Sequence, residues 1–291
     1  MASLTSRRLS RRRFLEIAAA GAATVGGGYG LLLEPSDFAI EQVKIAAPLP
    51  TGLRIGAVSD FHLADHISQE RVEAAVRHLR AESPDLIVLL GDYSTAMHTE
   101  SVIHRNVERA LDILGSLDAP LGVYAILGNH DVTHKLDDIA TVIERHGPTP
   151  LVDNGVVLSV HGERFGIVGL ADALQMKPKP NLALAAIPSG VSYLGLVHEP
   201  DAGPTLIPHA ALVLSGHSHG GQVRLPLIGA PVLPELGRRL PWGLRRDGKT
   251  LVYTSRGVGM VPPRIRINCR PEITLITIVN QGGIRPQRPH V

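Results

Sequence analysis

The stretch "ALVLSGHSHGG" at residues 211–221 is apolar from 211 to 214, then breaks at Ser215 and Gly216 into His217 and His219. A short continuous apolar run stopped by glycine reads as a buried strand. Side chains two positions apart in extended backbone share a side, so the two imidazoles can act together. The same construction recurs upstream. "IGAVSDFH" (55–62) ends on Asp60 and His62, "LIVLLGDY" (86–93) on Asp92, and "VYAILGNHD" (123–131) on Asn129, His130 and Asp131. "YLGLVHEP" (193–200) delivers His198. Each residue alone has a plain structural reading: Asp60 or Asp92 as a helix cap, Asn129 as a turn residue after Gly128. Five strands that all end on metal-ligand side chains point instead to one site, because ligands in open α/β sheets bind outside the carboxyl ends of the strands.

Helical patterns near 68–81 and 100–116 separate the first three strands, so that half reads as a buried parallel sheet. The second half is richer in strands, with "VVLSV", "FGIVGL", "LVYTS" and "ITLITIV" added to those above. This order predicts an α/β fold: a four-layer sandwich of two packed mixed β-sheets flanked by helices. The Pro-rich pieces at 176–188 and 225–243 read as surface excursions. The expected organisation is a leader over 1–35, one domain over 36–280 and a short tail over 281–291.

A chain of 291 residues can bury one large core, and with aromatics at 3% that core rests on Val, Leu, Ile and Ala. Cys269 is the single cysteine, which excludes an intrachain disulfide and a Cys-rich zinc site. Any metal is then held by His, Asp, Glu or Asn. That mixed nitrogen and oxygen donor set suits Mn, Fe or Zn better than Ca or Mg. Net charge is +2, but residues 224–270 hold ten Lys or Arg against Glu235 and Asp247. This segment is built to face anions. Nucleic acid is a poor candidate partner, since stacking platforms are scarce.

Residues 10–17, "SRRRFLEI", precede a run without charge from 17 to 33 that ends at Glu34 and Pro35. The layout is that of an export signal. Ser10, Arg11, Arg12, Phe14 and Leu15 match the twin-arginine pattern, with Glu16 where lysine is more usual. The expected partner is the twin-arginine translocation machinery, and the expected location is extracytoplasmic (periplasmic) or membrane-tethered. The run holds five glycines and sits at the lower limit of the about 17–25 residues a spanning helix needs. No small-x-small motif stands right after Leu33, so cleavage and retention as an anchor are both open.

The complete series D-x-H, G-D, G-N-H-D, H and G-H-S-H, in that order, resembles the calcineurin-like metallophosphoesterases over about residues 53–279. The leader, "GHSHGGQ" and "RINCRPEITLITI" (266–278) resemble more narrowly an exported or membrane-associated branch that includes enzymes similar to UDP-diacylglucosamine hydrolases. The resemblance implies two divalent cations. Asp60, His62 and His219 hold one, Asn129, His198 and His217 hold the other, and Asp92 bridges them. It also implies hydrolysis of a phosphoester or pyrophosphate bond by a metal-bridging hydroxide, with His130 binding phosphate or protonating the leaving oxygen. Asp131 either orients His130 or acts as a cap or a support behind the ligands. Arg224, Arg238, Arg239, Arg245 and Arg246 follow the last metal motif and are candidates to rim the cleft, holding a phosphorylated small-molecule or lipid substrate at a membrane surface. Two alternatives stand beside this reading: a UDP-diacylglucosamine-type glycolipid pyrophosphatase, and a non-catalytic metal-binding envelope scaffold.

Overall fold

The structure is a computed structural model that describes residues 28–30, 33–95, 99–132 and 139–280. Twelve strands among these residues form two six-stranded sheets. The first sheet runs β1 (Ala39–Ala46), β12 (Glu272–Val279), β2 (Arg54–Val58), β3 (Leu86–Leu89), β4 (Val123–Ala125) and β5 (Thr149–Pro150). The second runs β10 (Gly243–Asp247), β11 (Thr250–Thr254), β9 (Leu212–Ser215), β8 (Tyr193–Leu196), β7 (Glu163–Gly169) and β6 (Asn154–Val160). Strands β2 to β5 are mutually parallel, while β12 is antiparallel to β2 and parallel to β1. In the second sheet β7, β8, β9 and β11 run parallel between antiparallel edges β6 and β10.

Side-chain alternation builds the layers. Leu86 and Val88 of β3 face inward and pack with Phe165, Ile167, Leu194 and Leu212 of the other sheet. Ile87 and Leu89 face outward against α1 (His66–Glu82) and α2 (Glu100–Leu114). On α1 the buried residues Val72, Ala75, Val76 and Leu79 recur at helical spacing. That helix starts on a capping box in which Asp65 accepts from the Ser68 amide at 2.8 Å and Ser68 Oγ accepts from the Asp65 amide at 2.9 Å. A third apolar layer, including Val213, Val252, Ile207 and Leu240, covers the outer face of the second sheet. Each fully buried side chain of this size contributes about 1.5–3 kcal/mol. The four-layer α/β sandwich is the architecture expected.

Three strands escape the sequence reading: the two-residue β5, β1 and β10. In β1 only Ala39 and Ile45 are buried, while Ile40, Gln42 and Lys44 are exposed, as suits a sheet edge. In β10 Leu244, Arg245 and Arg246 are exposed, so a basic surface segment turns out to be an edge strand.

The expected boundary at residue 35 lies inside the folded body. Glu34 is buried, and its carboxylate accepts from the backbone amides of Asn268, at 2.9 Å, and Cys269. Gly30 O accepts from the Arg266 amide at 3.1 Å, and a Cβ on Gly30 would come within 2.6 Å of Arg266 O. Glu34→Ala leaves the buried Cys269 amide and the more exposed Asn268 amide without their acceptor, a cost of about 1–3 kcal/mol. The full chain should then melt several degrees lower by circular dichroism, and an unchanged melting temperature would show that this anchor contributes nothing. Among the described residues no helix is long and apolar enough to cross a membrane. The twin-arginine motif and the tail over 281–291 fall outside the described residues.

Candidate metal centre

The carboxyl ends of β2, β3 and β4 from one sheet and of β8 and β9 from the other meet at one end of the sandwich. There the structure brings together all seven proposed ligands. Asp60, His62, Asp92, His198, His217 and His219 are each under a tenth exposed. Five of them leave their strands with left-handed backbone: Asp60 (φ 54°), His62 (45°), Asp92 (60°), His217 (70°) and His219 (52°). For non-glycine residues this costs about 1–3 kcal/mol each and persists where the surroundings enforce it. The enforcement is visible. A Cβ on Gly128 would stand 2.3 Å from Asp92 Oδ1 and 2.7 Å from the His198 ring, so only glycine lets the third strand end approach the carboxylate.

The donor atoms converge. His62 Nε2 is 3.0 Å from His219 Nε2 and 3.4 Å from Asp92 Oδ2. His219 Nε2 is 3.4 Å from Asp60 Oδ1, and His198 Nε2 is 3.3 Å from Asp92 Oδ2. His217 Nδ1 is 2.9 Å from Asn129 Oδ1. Separations of 2.9–3.4 Å suit neighbouring donors on a shared cation whose bonds are about 2.0–2.2 Å. Asp92 Oδ2 touches both a ligand from the first implied set, His62, and one from the second, His198, as a bridge requires. Two of the ring nitrogens turned away from the centre are held by backbone carbonyls: His198 Nδ1 by Leu90 O at 2.6 Å and His217 Nε2 by Glu235 O at 2.7 Å. Such bonds fix the tautomer and aim the other nitrogen inward.

Protonation agrees with a cation site. Burial pushes His62 down to about 3, His217 down to about 4 and His219 well below the usual imidazole range, so their lone pairs are open at neutral pH. Burial also raises Asp60 to about 6. It pushes the Asp92 carboxyl up too, but His198, His130 and His62 outweigh it and hold Asp92 well below its ordinary value. His198, lowered by burial, is raised well above its usual range by Asp92 and Asp60. A buried carboxylate pair that must recruit a protonated histidine for neutrality is a pair that fits cations. The chemistry of the donor set therefore fits divalent metal.

His130 is half-buried, its ring edge-on to His62 with centroids 4.8 Å apart, and its amide donates to Asp92 Oδ1 at 2.9 Å. Asp131 supports the ligands from behind: Oδ2 accepts from the amides of Asp92 (2.7 Å) and Gly128 (2.8 Å), and Oδ1 from Tyr93 (2.8 Å). Beside the ligands opens a cleft of about 410 Å³ walled by Val223, Val232, Pro234, Val261 and Ile265, with His130 and Asp92 at its polar end.

The five arginines do not line this cleft. Arg246 borders a different concavity, with Pro208, His209 and Lys249, at the far end of the sandwich, because β10 runs away from the metal end alongside β11. Arg239 pairs with Asp247 at 2.8 Å, and Arg224 stacks over Trp242 at 3.9 Å with Arg245 at 5.6 Å over the same ring. Asp201 accepts from the amides of Arg238, Arg239 and Leu240, so this stretch is used for its backbone. The expectation that these side chains rim the phosphate site is corrected accordingly.

Sequence reasoning missed three supports. Gln222 ties the two cleft walls: its Oε1 accepts from the Val261 amide at 2.7 Å while Nε2 donates to Val261 O and Pro263 O. Arg266, fully buried, donates to the carbonyls of Arg256, Gly257, Gly259 and Cys269 behind Asp60. Glu199 next to His198 is raised to about 8 by burial and by Asp172. The G-G-Q tripeptide was the one available signal. The histidines off the strand ends stay off the site: His66 and His104 pair with Glu70 and Glu108, and His146 with Glu108 and Asp112. His98, His134 and His290 lie outside the described residues.

Comparison with known proteins agrees with this geometry. Residues 53–221 match the family described as calcineurin-like phosphoesterase. The uncharacterized metallophosphoesterase YkuE of Bacillus subtilis (strain 168) is 33% identical over 289 residues, covering 94% of this chain and 98% of that protein. The phosphodiesterase YaeI of Escherichia coli (strain K12) is 34% identical over 284 residues, covering 93% and 100%. The UDP-2,3-diacylglucosamine pyrophosphatase LpxG of Chlamydia muridarum (strain MoPn / Nigg) is 28% identical over 281 residues, covering 77% and 83%. With ligands of both implied metal sets converging on Asp92 and with relatives matched along nearly their whole length, the chain belongs to the calcineurin-like phosphoesterase family, metal-dependent hydrolases of phosphoester bonds.

Proposed function

We propose that this enzyme cleaves a phosphoester or pyrophosphate bond in a lipid-linked substrate, at a centre of two divalent cations, outside the cytoplasm. The observation that carries the reading is the juxtaposition of the buried Asp and His donors with a cleft whose walls are apolar. An anionic group reaches the donors while a hydrocarbon portion lies along Val223, Val232 and Ile265. When bound, the cations supply Lewis-acid stabilisation of the phosphoryl oxygens and an activated water. The mixed nitrogen and oxygen donors favour Mn, Fe or Zn. The names of the Escherichia coli and Chlamydia muridarum relatives support the two bond types. Export by the twin-arginine route separates the enzyme from nucleotide-linked substrates of the cytoplasm, so the UDP-diacylglucosamine reading stands second. A non-catalytic scaffold has no need of His130 at the cleft edge beside a full ligand set.

In this reading Asp92 holds the two donor sets in register and His130, whose ring stands over His62, delivers a proton to the leaving oxygen. The test is a panel of mono-, di- and pyrophosphate esters, with and without long acyl chains, assayed on Mn-loaded full chain. Acyl-bearing substrates should give the higher kcat/KM, and equal values for short and long chains would count against the lipid assignment. His130→Ala should keep its metal but lose rate by about 10²–10⁴-fold on esters with poor leaving groups and much less on good ones. Equal losses would remove the general-acid role.

A further inference from the structure

Eleven large hydrophobic side chains are exposed among the described residues, and six of them, Tyr29, Leu33, Leu225, Leu227, Ile228 and Val232, come from two short segments. These segments flank the same stretch of backbone. Arg266 N donates to Gly30 O, while Ile267 N donates to Gln222 O and Ile267 O accepts from Arg224 N at 2.9 Å. The end of the uncharged leader and the start of the 225–232 loop therefore lie on either side of residues 266–267. From Leu225 the chain makes a tight turn, closed by Leu225 N to Gly229 O at 2.8 Å and Gly229 N to Leu225 O at 2.9 Å. Leu227 at its tip is 108% exposed with φ 66°, and Ile228 and Val232 are 70% and 75% exposed. A bulky apolar residue in left-handed backbone, held fully in water, is unfavourable twice over. Val223 before the turn and Val232 after it both wall the metal cleft, so the turn springs from the cleft rim.

We propose that the mouth of the metal cleft is a bilayer-docking face, with Leu227 and Ile228 entering the acyl region of an anionic membrane beside the point where the leader joins the body. The chemistry around the tip favours a lipid surface over another protein. Arg224 stacks on the half-buried Trp242, with Arg245 over the same ring, an arrangement that places guanidinium groups and an indole at headgroup level. Arg224, directly before the turn, and Arg245, on the same indole, supply positive charge beside the tip, which complements anionic headgroups. Docking here would let an acylated substrate enter the cleft without crossing water. The inference deepens the lipid-substrate reading and rests on it for its purpose, but docking can be measured without turnover, so the two fail separately.

The test uses the full chain with Leu227→Cys carrying a thiol-linked fluorophore; the native Cys269 is buried and stays unlabelled in the folded protein. Leu182→Cys, at a 60% exposed position on the outer face of the second sheet, is the control. Vesicles of phosphatidylcholine and phosphatidylglycerol carry nitroxide quenchers midway along the acyl chains. Quenching at 227 and not at 182 is expected. No quenching at 227, or equal quenching at both sites, overturns the proposal even if the leader brings the protein to the vesicle. A Leu227→Asp, Ile228→Asp double variant should lower partitioning onto these vesicles about tenfold or more, since two apolar side chains no longer enter lipid. Hydrolysis of a small soluble diester should be unchanged in that variant, because neither residue lines the cleft. Unchanged partitioning of the double variant would also overturn the docking face.

Discussion

Asp92→Asn is expected to bind metal weakly at both positions and to lose turnover about a thousandfold or more. The expectation follows from three contacts made by one carboxylate. Oδ2 lies 3.4 Å from His62 Nε2 and 3.3 Å from His198 Nε2, and Oδ1 accepts the His130 amide at 2.9 Å. An amide in this place keeps the shape but puts an NH₂ group on one arm and removes the negative charge that both donor sets share. If the NH₂ takes the Oδ2 position it would turn N–H groups toward His62 and His198, where a cation would be held; if it takes Oδ1 it faces the His130 amide donor. Neither orientation restores the bridge. Metal content by elemental analysis and turnover of a soluble diester check the result together. A variant that kept two tightly held ions and full rate would remove Asp92 from its bridging role.

The site was legible where chemistry and chain position coincide. Asp60, His62, Asp92, Asn129, His198, His217 and His219 each follow an apolar strand by two to four residues, so the rule that strand carboxyl ends carry ligands singled them out as candidates without any knowledge of distance. The same locality made the buried strands and the two long helices readable. What escaped depends on pairing across long stretches of chain. Edge strand β1 shows charged residues and no continuous apolar run, and its assignment rests on β12, more than two hundred residues later. Gln222 joins cleft walls that are 39 positions apart. The arginines were misplaced for a related reason. Their nearness in sequence to His219 suggested that they line the cleft, but none does: Trp242 holds Arg224 beside it, Asp247 holds Arg239, and β10 takes Arg246 to the opposite end of the sheet. A charged cluster has no register of its own until its strand is paired.

Asp131→Asn is expected to destabilise the protein by about 2–4 kcal/mol and to weaken metal binding with it. The side chain is buried among backbone donors: Oδ2 serves Asp92 and Gly128, and Oδ1 serves Tyr93. Asparagine supplies one acceptor oxygen and two N–H groups, so whichever way it turns, at least one buried amide faces another donor. The loss is transmitted. Two of the pinned residues are Asp92 itself and Gly128, whose missing Cβ is what allows the Asp92 carboxylate and the His198 ring to sit against it. Burial and the charge of Asp92 already raise Asp131 to about 7, which shows how little the surroundings favour a second anion; the three amides are what make it tolerable. His130→Ala provides the contrast, since it removes a ring at the cleft edge and no backbone anchor. Thermal melts and metal titrations on the two variants should therefore separate: lower stability and lower affinity for Asp131→Asn, both nearly unchanged for His130→Ala. If Asp131→Asn melts with the wild type and loses rate alone, the residue acts on the reacting groups through His130 and the anchoring assignment is wrong.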